Sequence, residues 1–210
     1  MTTLDPTRPR ELVLIGGPNG AGKTTIAKSY IATRFPFWPQ VNADRLLERL
    51  LELGPLAPRP GSALIAAQMV DETVRSLCAL GEPSIVETVL SSDKYKSLVD
   101  VARKSGLILR LLYVATDAPS INVERVAERV AAGGHDVPED RIRARWHRSL
   151  SNLPWFAARA DRLVVFDNSG TTIRPLALRH LGGPLEILEP SHPAAITLAP
   201  LVNASPLPAP

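Results

Sequence analysis

The sequence predicts an α/β fold, a mostly parallel sheet with helices on both faces, and three observations carry that prediction. Short apolar runs alternate with helical patterns over most of the chain. The first run, Leu12 to Ile15, leads into a glycine-rich loop that ends in Lys-Thr and opens a helix. The last of five expected strands, from Leu163 to Phe166, ends in the turn cluster Asp167-Asn168-Ser169-Gly170.

The loop fits G-x-x-x-x-G-K-[ST], with Gly17, Pro18, Asn19, Gly20, Ala21, Gly22, Lys23 and Thr24 in register and Thr25 following. Glycines let the chain turn tightly and bring backbone N–H groups round an anion without Cβ atoms in the way. The helix that starts near Lys23 adds unpaired N–H groups and the positive end of its dipole. Lys23 can reach the β- and γ-phosphates, and the Thr24 hydroxyl can ligate Mg²⁺. Strand before, helix after and Lys-Thr in place make this a P-loop NTPase motif, with ATP and Mg²⁺ as the expected ligands.

A chain of 210 residues, 45% apolar and 21% charged, can bury one good core and is expected to form one domain. No apolar run approaches the roughly 18 residues of a membrane span, and the opening MTTLDPTRPR lacks the apolar stretch of a signal peptide. A cytoplasmic protein without membrane contact is the expectation. Cys78 is the only cysteine, and its setting, SLCAL, suits a core residue better than a nucleophile. Net charge is +3 and arginine outnumbers lysine, but no basic run occurs and aromatics make up only 5%. A nucleic-acid partner therefore has weak support.

Taken in order, Ile26 to about Phe35 reads as the helix leaving the loop, followed by a short strand near Val41-Asn42 and a helix from about Arg45. SALIAAQMVDETVRSLCALG is a helix stopped by Gly81, PSIVET a buried strand, and DKYKSLVDVARKSG another glycine-stopped helix. LILRLLYVAT is a strand, NVERVAERVAAGG a helix, and VPEDRIRARWHRSLSNL a long helix starting at Pro138. Beyond Gly170, IRPLALRHLGGPLEILEP reads as a hairpin or edge pair across Gly182-Gly183. The P-loop domain is thus assigned to residues 1–183, and the proline-rich stretch 184–210, without clear periodicity, reads as a flexible tail.

A γ-phosphate needs an acceptor. Asp44, expected just past the carboxyl end of the second strand, could take a proton from an acceptor hydroxyl or orient it. Asn42 or Asp44 could equally cap the helix RLLERL. Glu87 continues straight from the buried run Ser84-Ile85-Val86, so it can hold Mg²⁺ through water or bind substrate hydroxyls. Asp167 has a similar setting, but its turn-forming neighbours favour a structural Asx turn; Asp117 shares that ambiguity. Arg125 and Arg129 share one helix face, and Arg141, Arg145 and Arg148 share another after the break AAGGHDVPED. Two arginine-bearing helices around a glycine-containing loop, at about 125–150, read as a lid that neutralises charge on a migrating phosphoryl group. His135 reads as a loop-stabilising hydrogen bonder.

Together, GGPNGAGKTT, the acid of VNADRL, IVETVLSS, AERVAAGGHDVP and VVFDNSG resemble the zeta toxin family of P-loop kinases, over roughly Glu11 to Gly170. Its short stand-alone members are the closer likeness. The resemblance implies a Rossmann-like P-loop kinase core related to chloramphenicol phosphotransferase. It implies an enzyme that uses ATP and Mg²⁺ to phosphorylate a hydroxyl, the 3′-hydroxyl of UDP-N-acetylglucosamine in well-described members. A cognate antitoxin or other protein partner is implied with it. By the same resemblance Lys23 is the phosphate-loop lysine, Thr24 the magnesium-binding hydroxyl and Asp44, beside Asn42, the general base. Glu87, with Thr88, opens the sugar-nucleotide contact segment. Arg129 is a lid arginine, and Arg141 or Arg145 the second phosphate-binding one. Toxin members commonly carry Glu-Gly-Thr where this chain has Glu87-Thr88-Val89, so the acceptor is left as a sugar nucleotide or another hydroxyl metabolite. The alternative function is a nucleotide-dependent ATPase or switch acting with a protein partner, and, more distantly, a nucleic-acid kinase.

Overall fold

Strand β1 (Glu11–Gly16) is buried at all six positions, and β4 (Ile108–Ala115) at every position but its first. Only a strand covered on both faces can be apolar on both faces. The structure, a computed structural model, describes residues 10–35, 38–41, 46, 61–134 and 136–204. Among these, β1 and β4 lie at the centre of a seven-stranded sheet. Its other strands are β2 (Gln40–Val41), β3 (Ser84–Thr88), β5 (Arg162–Asp167), β6 (Arg174–Arg179) and β7 (Glu186–Ile187), in the order β2-β3-β1-β4-β5-β6-β7. The first five in that order run parallel; β6 and β7 close the edge antiparallel.

The helices follow the alternation. α1 (Lys23–Ile26) runs on through a π-helical turn, Ala27–Ile31, and a last turn at Ala32–Arg34. Among the described residues α2 (Ser62–Ala79), α3 (Lys96–Lys104), α4 (Pro119–Ala131), α5 (Glu139–Arg159) and α6 (Pro193–Leu198) add to the cover. Side chains alternate across β1, so Leu12 and Leu14 meet Val74, Val99 and Phe156 on one face. Val13 and Ile15 meet Ile26 and Ile31 on the other. Cys78 is fully buried in the first of these clusters, as its apolar setting suggests. α5 outruns the expected end near Leu153, passing Pro154 to reach Arg159, because Phe156 and Ala157 bury completely against the sheet.

The expected flexible tail is corrected over 184–204. The segment pairs β7 with β6 and then folds α6 onto the core, where Ala194, Ala195 and Leu198 are almost fully buried. The periodicity is hard to read because the helix is one and a half turns long and its buried residues are mostly alanine. His192 caps it: Nδ1 accepts the Ala194 N–H at 3.0 Å. The helix expected from Arg45 lies outside the described residues.

At the amino end of the sheet Arg110 donates twice to Glu11, at 2.5 and 3.0 Å, with both side chains almost fully buried, and Arg162 stands 3.6 Å from the same carboxylate. Arg110→Met should lower the unfolding free energy by about 3 kcal/mol, because it strands a buried carboxylate beside one distant cation. The urea midpoint measures this.

Candidate active site

β1 lies between β3 and β4, so the chain leaves it to one side and later resumes on the other. In an open parallel sheet that reversal leaves a crevice at the carboxyl ends of the strands. The phosphate loop enters it directly from β1, and Gly16 pairs with Thr88 on β3 and Tyr113 on β4. A cavity of about 820 Å³ opens there, lined by Asn19, Gly20, Gly22, Lys23, Thr24 and Thr25 of the loop.

Lys23 is 8% exposed, and its Nζ donates to the Pro18 carbonyl at 3.0 Å. The ammonium is thus folded back over the loop, in the same concavity as the loop's N–H groups. Thr24 donates its hydroxyl proton to Glu87 Oε1 at 3.3 Å. A hydroxyl and a carboxylate are hard oxygen donors, and that pair on the cavity wall suits Mg²⁺.

Thr88 and Val89 continue the wall beyond Glu87. The chain then turns at Leu90, the one non-glycine residue with positive φ among the described residues, at 52°. A left-handed leucine costs about 1–2 kcal/mol and persists only where its surroundings hold it. Here the Ser149 hydroxyl donates to the Val89 carbonyl at 2.7 Å and the Asn152 amide to the Leu90 carbonyl at 3.0 Å, both from α5. The turn sends the Leu90 side chain into the core and leaves Val89 facing the cavity.

The arginines separate by position. Arg129 lines the cavity. Arg125 lines it too, but its guanidinium donates to the Asn168 carbonyl at 2.6 Å and to those of Ser169 and Gly170 at 3.4 Å, tying α4 to the turn after β5. Arg145 donates to Asn19 Oδ1 at 3.1 Å and so reaches the phosphate loop. Arg141, one turn earlier on α5, is exposed and is not among the residues that line the cavity, and Arg148 is exposed as well. Asn42, Asp44 and His135 lie outside the described residues.

Asp167 makes the Asx turn that its neighbours suggest, accepting the Ser169 N–H at 2.8 Å together with the Ser169 hydroxyl, and Arg174 at 2.9 Å. Burial alone would raise its pKa, but these hydrogen bonds outweigh burial and hold it below the ordinary carboxylate value. Asp117, Asp167 and His192 bring oxygen and nitrogen atoms within 4.8 Å of one another. Burial keeps the His192 pKa below its usual value despite both carboxylates. Because Nδ1 accepts from Ala194, the neutral ring carries its proton on Nε2, facing the acids, with no lone pair there for a metal.

Sequence reasoning passed over Asn122, Asn168 and Lys28. Lys28 lines the cavity one turn beyond Thr24. Asn122 is fully buried on α4. Its signal was available: an asparagine four residues before Val126, with which it shares the buried side of the helix.

Fold and site together define the class: a P-loop α/β protein with the kinase-type fold, whose phosphate loop opens on a cavity at the carboxyl ends of its parallel strands. The profile of an AAA domain family, AAA_33, matches residues 12–154, and the chain belongs to that family. No curated protein sequence matches it. Among solved structures, a chain of the AvrRxo1-ORF1:AvrRxo1-ORF2 complex with sulphate ions is similar at 16% identity and a TM-score of 0.70. That match covers 96% of this chain and 66% of the other, so this chain spans slightly less than two thirds of the neighbour's length. A structure from the PezAT chromosomal toxin-antitoxin system of Streptococcus pneumoniae is similar at 20% identity and a TM-score of 0.62, covering 78% of this chain and 70% of that one. A chain of the Pnkp1/Rnl/Hen1 RNA repair complex is similar at 24% identity and a TM-score of 0.52, over 70% of this chain and 47% of that one. At these identities the likeness is one of fold.

Proposed function

We propose that the protein is an ATP-dependent small-molecule kinase that transfers the γ-phosphoryl group to a hydroxyl of a sugar nucleotide or similar metabolite. The observation that carries this reading is the convergence of the phosphate loop, the Thr24–Glu87 pair and Arg129 on one cavity. In this reading Lys23 and the loop N–H groups bind the β- and γ-phosphates, and Thr24 with Glu87 holds Mg²⁺. Held there, the ion would supply positive charge against the phosphates. Arg129 and Arg145 face the charge that spreads over the migrating group. Asp44 accepts the acceptor's hydroxyl proton as its oxygen bonds to the γ-phosphorus and the bond to ADP breaks. Glu87, Thr88 and Val89 form the acceptor wall.

The PezAT neighbour comes from a toxin–antitoxin system, which supports a toxin-like role and a protein partner for this chain as part of the same reading. Among the described residues no helix is long and apolar enough to cross a membrane.

A panel of metabolites incubated with the protein, ATP and Mg²⁺, and followed by mass spectrometry, tests the reading. A phosphorylated acceptor is expected; ADP formation with no modified acceptor across sugar nucleotides, sugars and RNA ends would overturn it. Glu87→Gln should raise the Mg²⁺ concentration for half-maximal transfer by about 10- to 100-fold, since it weakens a group that orients the ion. A magnesium titration of the transfer rate checks this.

A further inference from the structure

Two asparagines outside the phosphate-loop motif hold its backbone carbonyls, Asn122 from outside the cavity lining and Asn168 from the cavity wall. Asn122, from α4, donates its amide to the Asn19 carbonyl, and Asn168, from the turn after β5, donates to the Ala21 carbonyl at 2.8 Å. Each carbonyl belongs to the peptide unit whose N–H is carried by a loop glycine, Gly20 in one case and Gly22 in the other. In a planar trans peptide, C=O and N–H point in opposite directions, and the described residues contain no cis bond. Pinning the two carbonyls back therefore turns the Gly20 and Gly22 N–H groups the other way.

The packing is close at both points. A Cβ on Gly20 would lie 2.6 Å from the Asn122 carbonyl oxygen, and one on Gly22 would lie 2.3 Å from Asn168 Nδ2. Both glycines also have positive φ, 76° and 96°. The absence of a side chain is thus what admits each asparagine to its carbonyl.

The Asn122 amide is not free to rotate away. The Thr116 hydroxyl donates to Asn122 Oδ1, and the Trp146 indole N–H donates to Thr116 Oγ1 at 3.0 Å. That leaves the Asn122 NH₂ for Asn19, and all three side chains are buried. On the other side it is the Asn168 backbone that is held: its carbonyl receives Arg125 at 2.6 Å and its N–H donates to the Ala115 carbonyl at 3.0 Å. Each asparagine is the last link of a chain that starts on α4 or α5 and ends on the loop.

We infer that Asn122 and Asn168 are positioning residues that preset the Gly20 and Gly22 amides for the phosphates of the bound nucleotide. They touch no reacting atom; they act through the loop. The inference rests on the nucleotide-binding part of the proposed function and is independent of the acceptor.

The test uses the full-length protein and its Asn122→Ala and Asn168→Ala variants, with Mg·AMP-PNP and AMP as probes in calorimetry. Losing one pinned carbonyl should weaken Mg·AMP-PNP by about tenfold in each variant, the scale of a buried acceptor left without its donor. AMP, which lacks the β- and γ-phosphates, should lose no more than about twofold on the same reasoning. A structural role alone would lower the melting temperature and leave the ratio of the two affinities unchanged, and that result overturns the inference. Asn168 is only half-buried, so its variant decides the matter if Asn122→Ala does not fold. Parent protein that fails to bind Mg·AMP-PNP would instead overturn the nucleotide reading itself.

Discussion

Lys23→Ala is expected to lower phosphoryl transfer by at least about a hundredfold, the scale seen when a group facing developing charge is removed. The side chain is almost fully buried and held on the Pro18 carbonyl, so its charge is confined to the concavity of the loop. A confined charge loses little to reorganisation when phosphate charge moves, and a low local dielectric strengthens its effect. The fold should survive, because β1 and its neighbours hold the loop's ends. Steady-state transfer with a matching melting curve measures both. A rate within a few-fold of the parent would remove Lys23 from the mechanism.

Asp44→Asn separates a base from a cap. Asparagine caps a helix about as well as aspartate, so stability should change by only a few tenths of a kcal/mol if capping were the whole role. The amide keeps size and reach but cannot take a proton at neutral pH. If the carboxylate accepts the acceptor proton, transfer should fall by roughly 10² to 10⁴. Nucleotide affinity should stay near that of the parent, because the loop and the Thr24 hydroxyl are untouched. Melting temperature, calorimetry and acceptor phosphorylation, run in parallel, are expected to give a folded, ATP-binding, inactive protein. Near-normal transfer would reduce Asp44 to a cap.

The central sheet was legible because parallel strands declare themselves as apolar runs, and Leu12–Ile15 and the stretch from Ile108 are nearly unbroken ones. The phosphate loop was legible because its chemistry constrains consecutive residues. Long-range pairings were not. Nothing near Arg141 or Arg145 in sequence tells which one reaches Asn19: the two share a face of α5 one turn apart, so the choice depends on where along its length the helix meets the loop. Asn168 reads locally as a turn residue, and its bond to Ala21 spans 147 positions. The segment after Pro184 misled for a related reason: its prolines suggest a tail, whereas Pro193 stands at the first turn of α6, where a proline is well tolerated.

The central claim is that the γ-phosphoryl group moves to a carbon-bound hydroxyl within this cavity. The most direct measurement is the fate of that group from γ-labelled ATP, followed by ³¹P NMR in the presence of a soluble metabolite extract. The account predicts a new phosphate-monoester resonance carrying the label, absent with Lys23→Ala. Label released entirely as inorganic phosphate, at a rate indifferent to the extract, would contradict it.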